Sequence, residues 1–257
     1  LTHEVVLDLG LQPLANNLCS ANDHHDDLFP LCLVRCEHCG LLQLSHVVEP
    51  AAMFSHYLYR PGQSEKTVSH FKTLACAATA RYQLRYPAAH GLAVDIGSND
   101  GTLLDFFSQL GWHAVGVDPA KNLADEANAQ GLTTLCAFFD GPTVDQVLAQ
   151  YGPAQIITAC NVLAHTPNWQ SFAYHAARLL ADDGVLVLEF PYGPTMLASG
   201  TFDLIYHEHA SYPAIGSVVH LLGPYGLHVN DADYLSDVHG GSVRLWVSRR
   251  KRNDGQS

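Results

Sequence analysis

Val94-Asp95-Ile96-Gly97-Ser98-Asn99-Asp100-Gly101-Thr102 is the stretch that decides the fold. A carboxylate sits near the end of an apolar run, two glycines follow four residues apart, and the chain then enters a helical pattern. Glycine lets the backbone turn sharply and approach a ligand, and the first turn of a helix leaves N–H groups unpaired. The dinucleotide fingerprint G-x-G-x-x-G requires a glycine where Asn99 stands, so a pyrophosphate is poorly served. Outward from this loop, short apolar runs at 92–96, 114–117, 155–159 and 184–189 alternate with helical patterns near 103–110, 122–129 and 171–180. The alternation predicts βαβ crossovers and therefore a doubly wound, mainly parallel α/β sheet of the Rossmann-like kind.

The run after the first helix ends in Val117-Asp118-Pro119, an acidic side chain placed to accept hydrogen bonds from the two hydroxyls of a ribose. Asp95 can meet a cationic amino-acid portion, while Gly97 and Gly101 admit backbone contacts to it. S-adenosylmethionine (SAM) carries a ribose and an amino-acid tail without a pyrophosphate. Taken singly, Asp-x-Gly and Asp-Pro are ordinary turn chemistry. Their order within one βαβ unit favours a nucleoside ligand.

Texture divides the 257 residues further. Residues 1–50 are loop-rich with short strand-like runs, a small unit of the kind that needs a staple such as a metal; 51–86 read as a loop and a helix carrying Val68, Phe71, Leu74 and Ala75 on one face. Residues 87–195 form the nucleoside-binding domain, and 196–257 begin a C-terminal substrate region. Thirteen Lys and Arg against 25 Asp and Glu give a net charge of -12, which disfavours a nucleic-acid or anionic-membrane footprint and leaves a small-molecule substrate. With no long apolar stretch and no signal-like start, a cytoplasmic location is expected. Seven cysteines without a secretory signal read as thiols or metal ligands. Cys76, Cys136 and Cys160 are expected in the core, and Cys36-x-x-Cys39 has the spacing of a zinc knuckle, although zinc usually wants four N or S ligands. Cys32, Cys36 and Cys39 also match the spacing of a radical-SAM cluster, a reading disfavoured by the complete glycine loop downstream.

Leu9-Gly10-Leu11-Gln12-Pro13-Leu14-Ala15-Asn16, Cys36-Glu37-His38-Cys39-Gly40-Leu41, the glycine loop, Asn161-Val162-Leu163-Ala164-His165, Glu189-Phe190-Pro191-Tyr192, Phe202-Asp203-Leu204-Ile205-Tyr206-His207-Glu208-His209 and His239-Gly240-Gly241-Ser242 occur in that order. Together they resemble the class I SAM-dependent C-methyltransferases that act on nucleotide-bound deoxysugars and carry an N-terminal zinc-binding domain. The resemblance implies a methyltransferase that deprotonates carbon 3 of a 4-keto-deoxysugar and methylates the enolate. It makes Asp95, Gly97, Asn99 and Gly101 the SAM loop, Asp118 the ribose contact, Phe138 and Phe139 neighbours of the adenine, and Asn161 a further cofactor contact. His209 is implied as the base with Glu208 beside it and Tyr206 near the sugar. Tyr57, Tyr59 and His165 match positions that line the active site and could share proton transfer. Structural zinc would be held by Cys36 and Cys39 with an earlier Cys pair that this sequence lacks, and the resemblance implies a chain truncated at both ends. Arg60-Pro61-Gly62-Gln63 stands where small hydroxyl residues are expected, so the sugar contacts there differ. A SAM-dependent methyltransferase for another small molecule, or a SAM-binding fragment without catalysis, are the competing readings.

Overall fold

The computed structural model describes residues 2–16, 27–87, 90–238 and 240–251. The chain opens with three strands, β1 (His3–Pro13), β2 (Leu28–Cys36) and β3 (Leu42–Leu44), which pair antiparallel in sequence. Short helix α1 (Pro50–Phe54) leads to α2 (Glu65–Gln83), whose start is capped by the Ser64 hydroxyl accepting from the Thr67 amide. Leu74, Ala75, Ala78 and Tyr82 form its buried stripe, three and four residues apart.

From there strands and helices alternate: β4 (Leu92–Ile96), α3 (Thr102–Gln109), β5 (His113–Asp118), α4 (Lys121–Ala129), then β6 (Thr133–Cys136) and α5 (Gly141–Tyr151), which were not expected, and β7 (Ala154–Cys160), α6 (Trp169–Leu179) and β8 (Leu180–Pro191). Helix α7 (Gly193–Ser199), the two-residue strand β9 (Ser211–Tyr212), α8 (Ile215–Leu222), β10 (His228–Leu235) and β11 (Ser242–Ser248) follow. The main sheet has seven strands in the order β10-β11-β8-β7-β4-β5-β6. β6, β5, β4, β7 and β8 are parallel, and β11 runs antiparallel between β8 and β10.

Alternation along the strands divides the core into two layers. Leu92, Val94 and Ile96 face one layer with residues of α5, α6 and α8; Ala93, Ile156, Val187 and Trp246 face the other with α2 and α3. With both faces covered, the central strands are apolar on both sides, as a parallel sheet requires.

Two expectations change. Residues after 195 do not stand apart: β10 and β11 complete the main sheet, and β9 joins the N-terminal sheet in the order β1-β2-β3-β9. The sequence hid this because β11 and β9 pair with partners distant in sequence, and a two-residue strand has no pattern at all. Cys76 and Cys136 are exposed rather than buried, Cys76 on the outer face of α2 and Cys136 at the end of edge strand β6. Cys19, His24, His25, His239 and Arg252 lie outside the described residues. No helix of the described residues is long and apolar enough to cross a membrane.

Phe107 on α3 is fully buried in the α2/α3 layer. Phe107→Ala is expected to destabilise the fold by about 3–5 kcal/mol through lost burial and the remaining cavity, read as a lower urea midpoint at unchanged slope. A loss under about 1 kcal/mol would mean that this layer is not tightly packed.

Candidate functional site

A parallel sheet opens a crevice at the carboxyl ends of its strands, where the connections diverge. Here the crevice is a cavity of about 760 Å³, within the usual range of small-molecule sites. Ile96, Gly97, Asp118, Phe138, Phe139, Cys160, Asn161 and Glu189 come to it from the sheet side. Phe54, Tyr57, Tyr59, Lys66, His70 and His165 come from the overlying segments.

The glycine loop turns through left-handed backbone at Gly97 (φ 69°), Asn99 (φ 51°) and Gly101 (φ 82°). A Cβ on Gly97 would stand 2.6 Å from Val162 Cγ2, and one on Gly101 2.5 Å from Leu132 Cδ1, so both positions exclude a side chain twice over. Asp118 anchors the loop: its Oδ2 accepts from the Asn99 amide at 2.8 Å and its Oδ1 from the Ala120 amide at 2.8 Å. Each carboxylate oxygen keeps a second lone pair for a hydroxyl donor. Burial pushes the Asp118 carboxyl pKa up while the two amides pull against that shift.

Asn99 Nδ2 donates to the Tyr59 carbonyl at 3.1 Å, and Gly62 N donates to Asp100 Oδ2 at 2.8 Å. Asn122 pairs with both backbone groups of Tyr57, at 3.1 and 2.8 Å. The segment from Tyr57 to Gly62 is thereby tied across the loop, and Arg60 is occupied by an ion pair with Glu126 at 3.0 Å.

The expected acid–base residues assemble beside the cavity. Tyr57 Oη donates to Glu208 Oε2 at 3.2 Å, and Asn16 Nδ2 donates to Glu208 Oε1 at 2.5 Å. His209 Nδ1 lies 2.9 Å from the Leu204 carbonyl, which can only accept, so Nδ1 carries a proton. In the neutral ring, Nε2 then accepts from Tyr206 Oη at 3.0 Å. His165 Nδ1 donates to the Glu208 carbonyl at 2.7 Å, and its ring lies 4.9 Å from that of His209. Burial, followed by the charge of Glu208, raises Tyr57 far above the ordinary phenol range and Tyr206 to about 12. Both therefore remain hydroxyls near neutral pH.

Not every expected residue reaches the cavity. Asp95 is buried beneath the loop, where Thr158 Oγ1 donates to its Oδ1 at 2.6 Å, and it is absent from the cavity wall. Asn99 and Gly101 shape the loop without lining the cavity, and Tyr206, Glu208 and His209 stand behind Tyr57 and His165. Phe138 is partly exposed on the wall, while Phe139 packs on Phe172 at 5.7 Å. Asn161 lines the cavity with left-handed backbone (φ 57°), and its buried Oδ1 has no partner.

Sequence reasoning missed His70 and the role of Glu189. Glu189 and Arg244 are directly opposite on β8 and β11, with Arg244 Nε donating to Glu189 Oε2 at 2.8 Å. His70 Nε2 lies 2.5 Å from Glu189 Oε1. Burial raises the Glu189 pKa, but the His70 hydrogen bond and the Arg244 charge outweigh it and leave the carboxyl below its ordinary value. A glutamate inside the run Val185-Leu186-Val187-Leu188-Glu189-Phe190 was the available signal, as was a histidine four residues before Leu74 on the buried stripe of α2.

At the knuckle, Gly40 (φ 72°) turns the chain and its amide donates to the Cys36 carbonyl at 2.9 Å. The Cys39 and His38 amides lower the Cys36 thiol pKa, whereas burial raises that of Cys39. Among the described residues no group of three or more His, Cys, Asp or Glu side chains could hold a metal ion. A structural zinc site usually takes four N or S ligands, of which Cys36 and Cys39 could supply two.

A family model described as a methyltransferase domain matches residues 69–231, and one described as a zinc-binding domain matches residues 1–54. The chain is 37% identical over 245 residues to the C-methyltransferase NovU of Streptomyces niveus, covering 95% of this chain and 57% of that protein. It therefore spans little more than half the length of that relative. The structure of magnesium protoporphyrin IX methyltransferase from Synechocystis PCC 6803 with bound SAH is similar with a TM-score of 0.55 at 18% identity, covering 76% of this chain and 90% of that one. A SAM-dependent methyltransferase from Clostridium acetobutylicum ATCC 824 is similar with a TM-score of 0.55 at 12% identity, covering 69% and 91%. At these identities the structural likeness is one of fold.

Burial, opposed by the Thr158 hydrogen bond and aided by the charge of Asp118, pushes Asp95 from 3.8 up to about 7. The folded state then holds a proton that the unfolded state has lost, so this contribution is full below 3.8 and fades as pH rises through 7. Asp95→Asn is expected to flatten the fall in unfolding free energy between pH 4 and 7, measured by urea titration at each pH. An unchanged slope would mean that Asp95 ionises normally.

Proposed function

This chain belongs to the methyltransferase-domain family, and from that premise we propose that it is a SAM-dependent C-methyltransferase acting on a nucleotide-linked 4-keto-deoxysugar. The observation that carries the proposal is the cluster of Tyr57, His165, Tyr206, Glu208 and His209 beside a cavity whose other wall is the glycine loop and Asp118. Acid–base groups next to a nucleoside pocket supply what carbon methylation beside a ketone needs, a base for the C–H proton. The name of the relative in Streptomyces niveus supports C-methylation, and the ordered motifs support the sugar.

Asp118 would hold the ribose, Phe138 and Phe139 the adenine, and Gly97 would let the backbone approach. When bound, SAM supplies an electrophilic methyl on its sulfonium. His209 takes the proton from the carbon beside the ketone by way of Tyr206, whose hydroxyl is hydrogen-bonded to His209 Nε2. The route runs through the Tyr206 oxygen, which passes its own proton to Nε2 as it receives one. Tyr57 and His165 face the cavity and hold the sugar oxygens, while Glu208 fixes Tyr57. The Cys36–Cys39 knuckle enters no step.

His209→Asn is expected to lower kcat by about 10²–10⁴-fold, the usual weight of a general base, with SAM affinity within twofold of the parent. Asp118→Ala is expected to weaken SAM binding at least tenfold by isothermal titration. Full turnover by His209→Asn would remove it as base, and failure of the parent chain to bind SAM would overturn the cofactor reading.

A further inference from the structure

The amino-acid end of the cofactor has no anchor at the residue expected for it. Asp95 lies on the α2/α3 side of β4, below the loop, with its Oδ1 engaged by Thr158. It is not on the cavity wall, and its raised pKa makes it a weak permanent anion near neutral pH. An amino-acid tail must therefore be read elsewhere on that wall.

The strand order locates the place. Asp118 ends β5, Gly97 follows β4, Asn161 follows β7 and Glu189 lies near the end of β8, so these residues run across the crevice in the order β5-β4-β7-β8. Three strand intervals of about 4.8 Å separate the Asp118 end from the Glu189 end, roughly 14 Å. With the ribose at Asp118, an extended tail points toward Glu189 and the first two turns of α2 above it.

Three groups there suit an amino acid. Lys66 is the one Lys or Arg on the cavity wall among the described residues, and it contacts the Asp237 carbonyl. His70 follows it by four residues, on the same face of α2. Its Nε2 is committed to Glu189, because that carboxylate is an acceptor, so the approach of Arg244 Nη2 to the same nitrogen at 3.3 Å is proximity only. Nδ1 is then the remaining polar atom of a ring that lines the cavity, and Glu189, itself held by Arg244, fixes that ring. Asn161 offers a buried Oδ1 without a partner, an acceptor that awaits a donor.

Resting on the SAM reading above, we infer that Lys66, His70 and Asn161 form the receptor for the amino-acid end of the cofactor. Lys66 meets the α-carboxylate, and His70 Nδ1, the acceptor nitrogen of its neutral ring, and Asn161 Oδ1 accept from the α-ammonium. In this arrangement Asp95 supports the loop and does not touch the ligand.

The test compares two ligands that share the nucleoside: S-adenosylhomocysteine (SAH), which has the amino-acid end, and 5′-methylthioadenosine, which lacks it. Both are titrated calorimetrically into the parent chain, Lys66→Met and His70→Gln. Glutamine keeps an amide donor where Nε2 meets Glu189 and removes Nδ1. Each variant is expected to bind SAH about tenfold or more weakly, in keeping with loss of a hydrogen bond to a charged group. Methylthioadenosine affinity is expected to stay within twofold. Unchanged SAH affinity, or an equal loss for both ligands, overturns the inference, including the case in which Lys66 serves a phosphate of the sugar substrate. If His70→Gln has a lowered thermal midpoint, Lys66→Met, which alters a side chain on the first turn of α2, decides alone. A parent chain that binds methylthioadenosine and SAH equally refutes the receptor but not the nucleoside site; one that binds neither refutes the SAM reading with it.

Discussion

The two amides that Asp118 accepts from, at Asn99 and Ala120, hold the connections after β4 and β5 in fixed relation, and the site is built on that hold. Parallel strands let their connections diverge, so a crevice comes with the fold but its shape does not. Asn99 occupies left-handed backbone, a conformation that asparagine tolerates better than most residues, and its amide is thereby turned toward Asp118. Its side chain reaches the Tyr59 carbonyl, and the same segment presents Tyr57 to Glu208. One hydrogen-bonded path thus runs from the nucleoside wall to the acid–base cluster.

Charge burial separates two carboxylates on the same face of the sheet. Asp95 has a neutral hydroxyl for company, and desolvation prevails; Glu189 has a guanidinium and an imidazole, and attraction prevails. A charge kept ionised by fixed partners can orient another group at any ordinary pH. A carboxyl that titrates near neutrality cannot serve as a steady counter-charge. The two acids therefore do different work although each ends an apolar strand and reads alike in sequence.

Much of the α/β core was legible because its signals are local. The short apolar run at 92–96 and the glycine loop mark β4 and the turn into α3 without reference to the rest of the chain. Helix α5 was missed although Asp140 caps it with its carboxylate accepting from Thr143 and Pro142 follows at the start, the ordinary marks of a helix beginning. The closing edge strands and β9 depend on partners distant in sequence, which periodicity does not encode. At the site, the ordered motifs pointed to residues that gather beside the cavity, but not to their depth. Asp95 and His209 were expected at the ligand, whereas Tyr57 and His165 line the cavity in front of His209 and Asp95 lies under the loop. Depth follows from the face a strand residue takes and from what packs over it.

The N-terminal sheet is joined to the Tyr206–His209 segment in a way that its cysteines alone would not suggest. β9 pairs with β3 at Leu42–Tyr212 and Gln43–Ser211, so the segment from Tyr206 to His209 is held immediately before a strand that belongs to the N-terminal sheet. Asn16, just beyond β1, reinforces this by donating to Glu208. The Cys36–Gly40 turn joins β2 to β3, with the Cys36 amide donating to the Leu41 carbonyl at 2.9 Å. A shift of that turn moves β3, β3 carries β9, and β9 carries the backbone that positions His209. Whatever stabilises the knuckle therefore acts on the acid–base cluster through strand register. The N-terminal unit is thus tied to the segment that carries Tyr206 and His209 and is not an appendage to the main sheet.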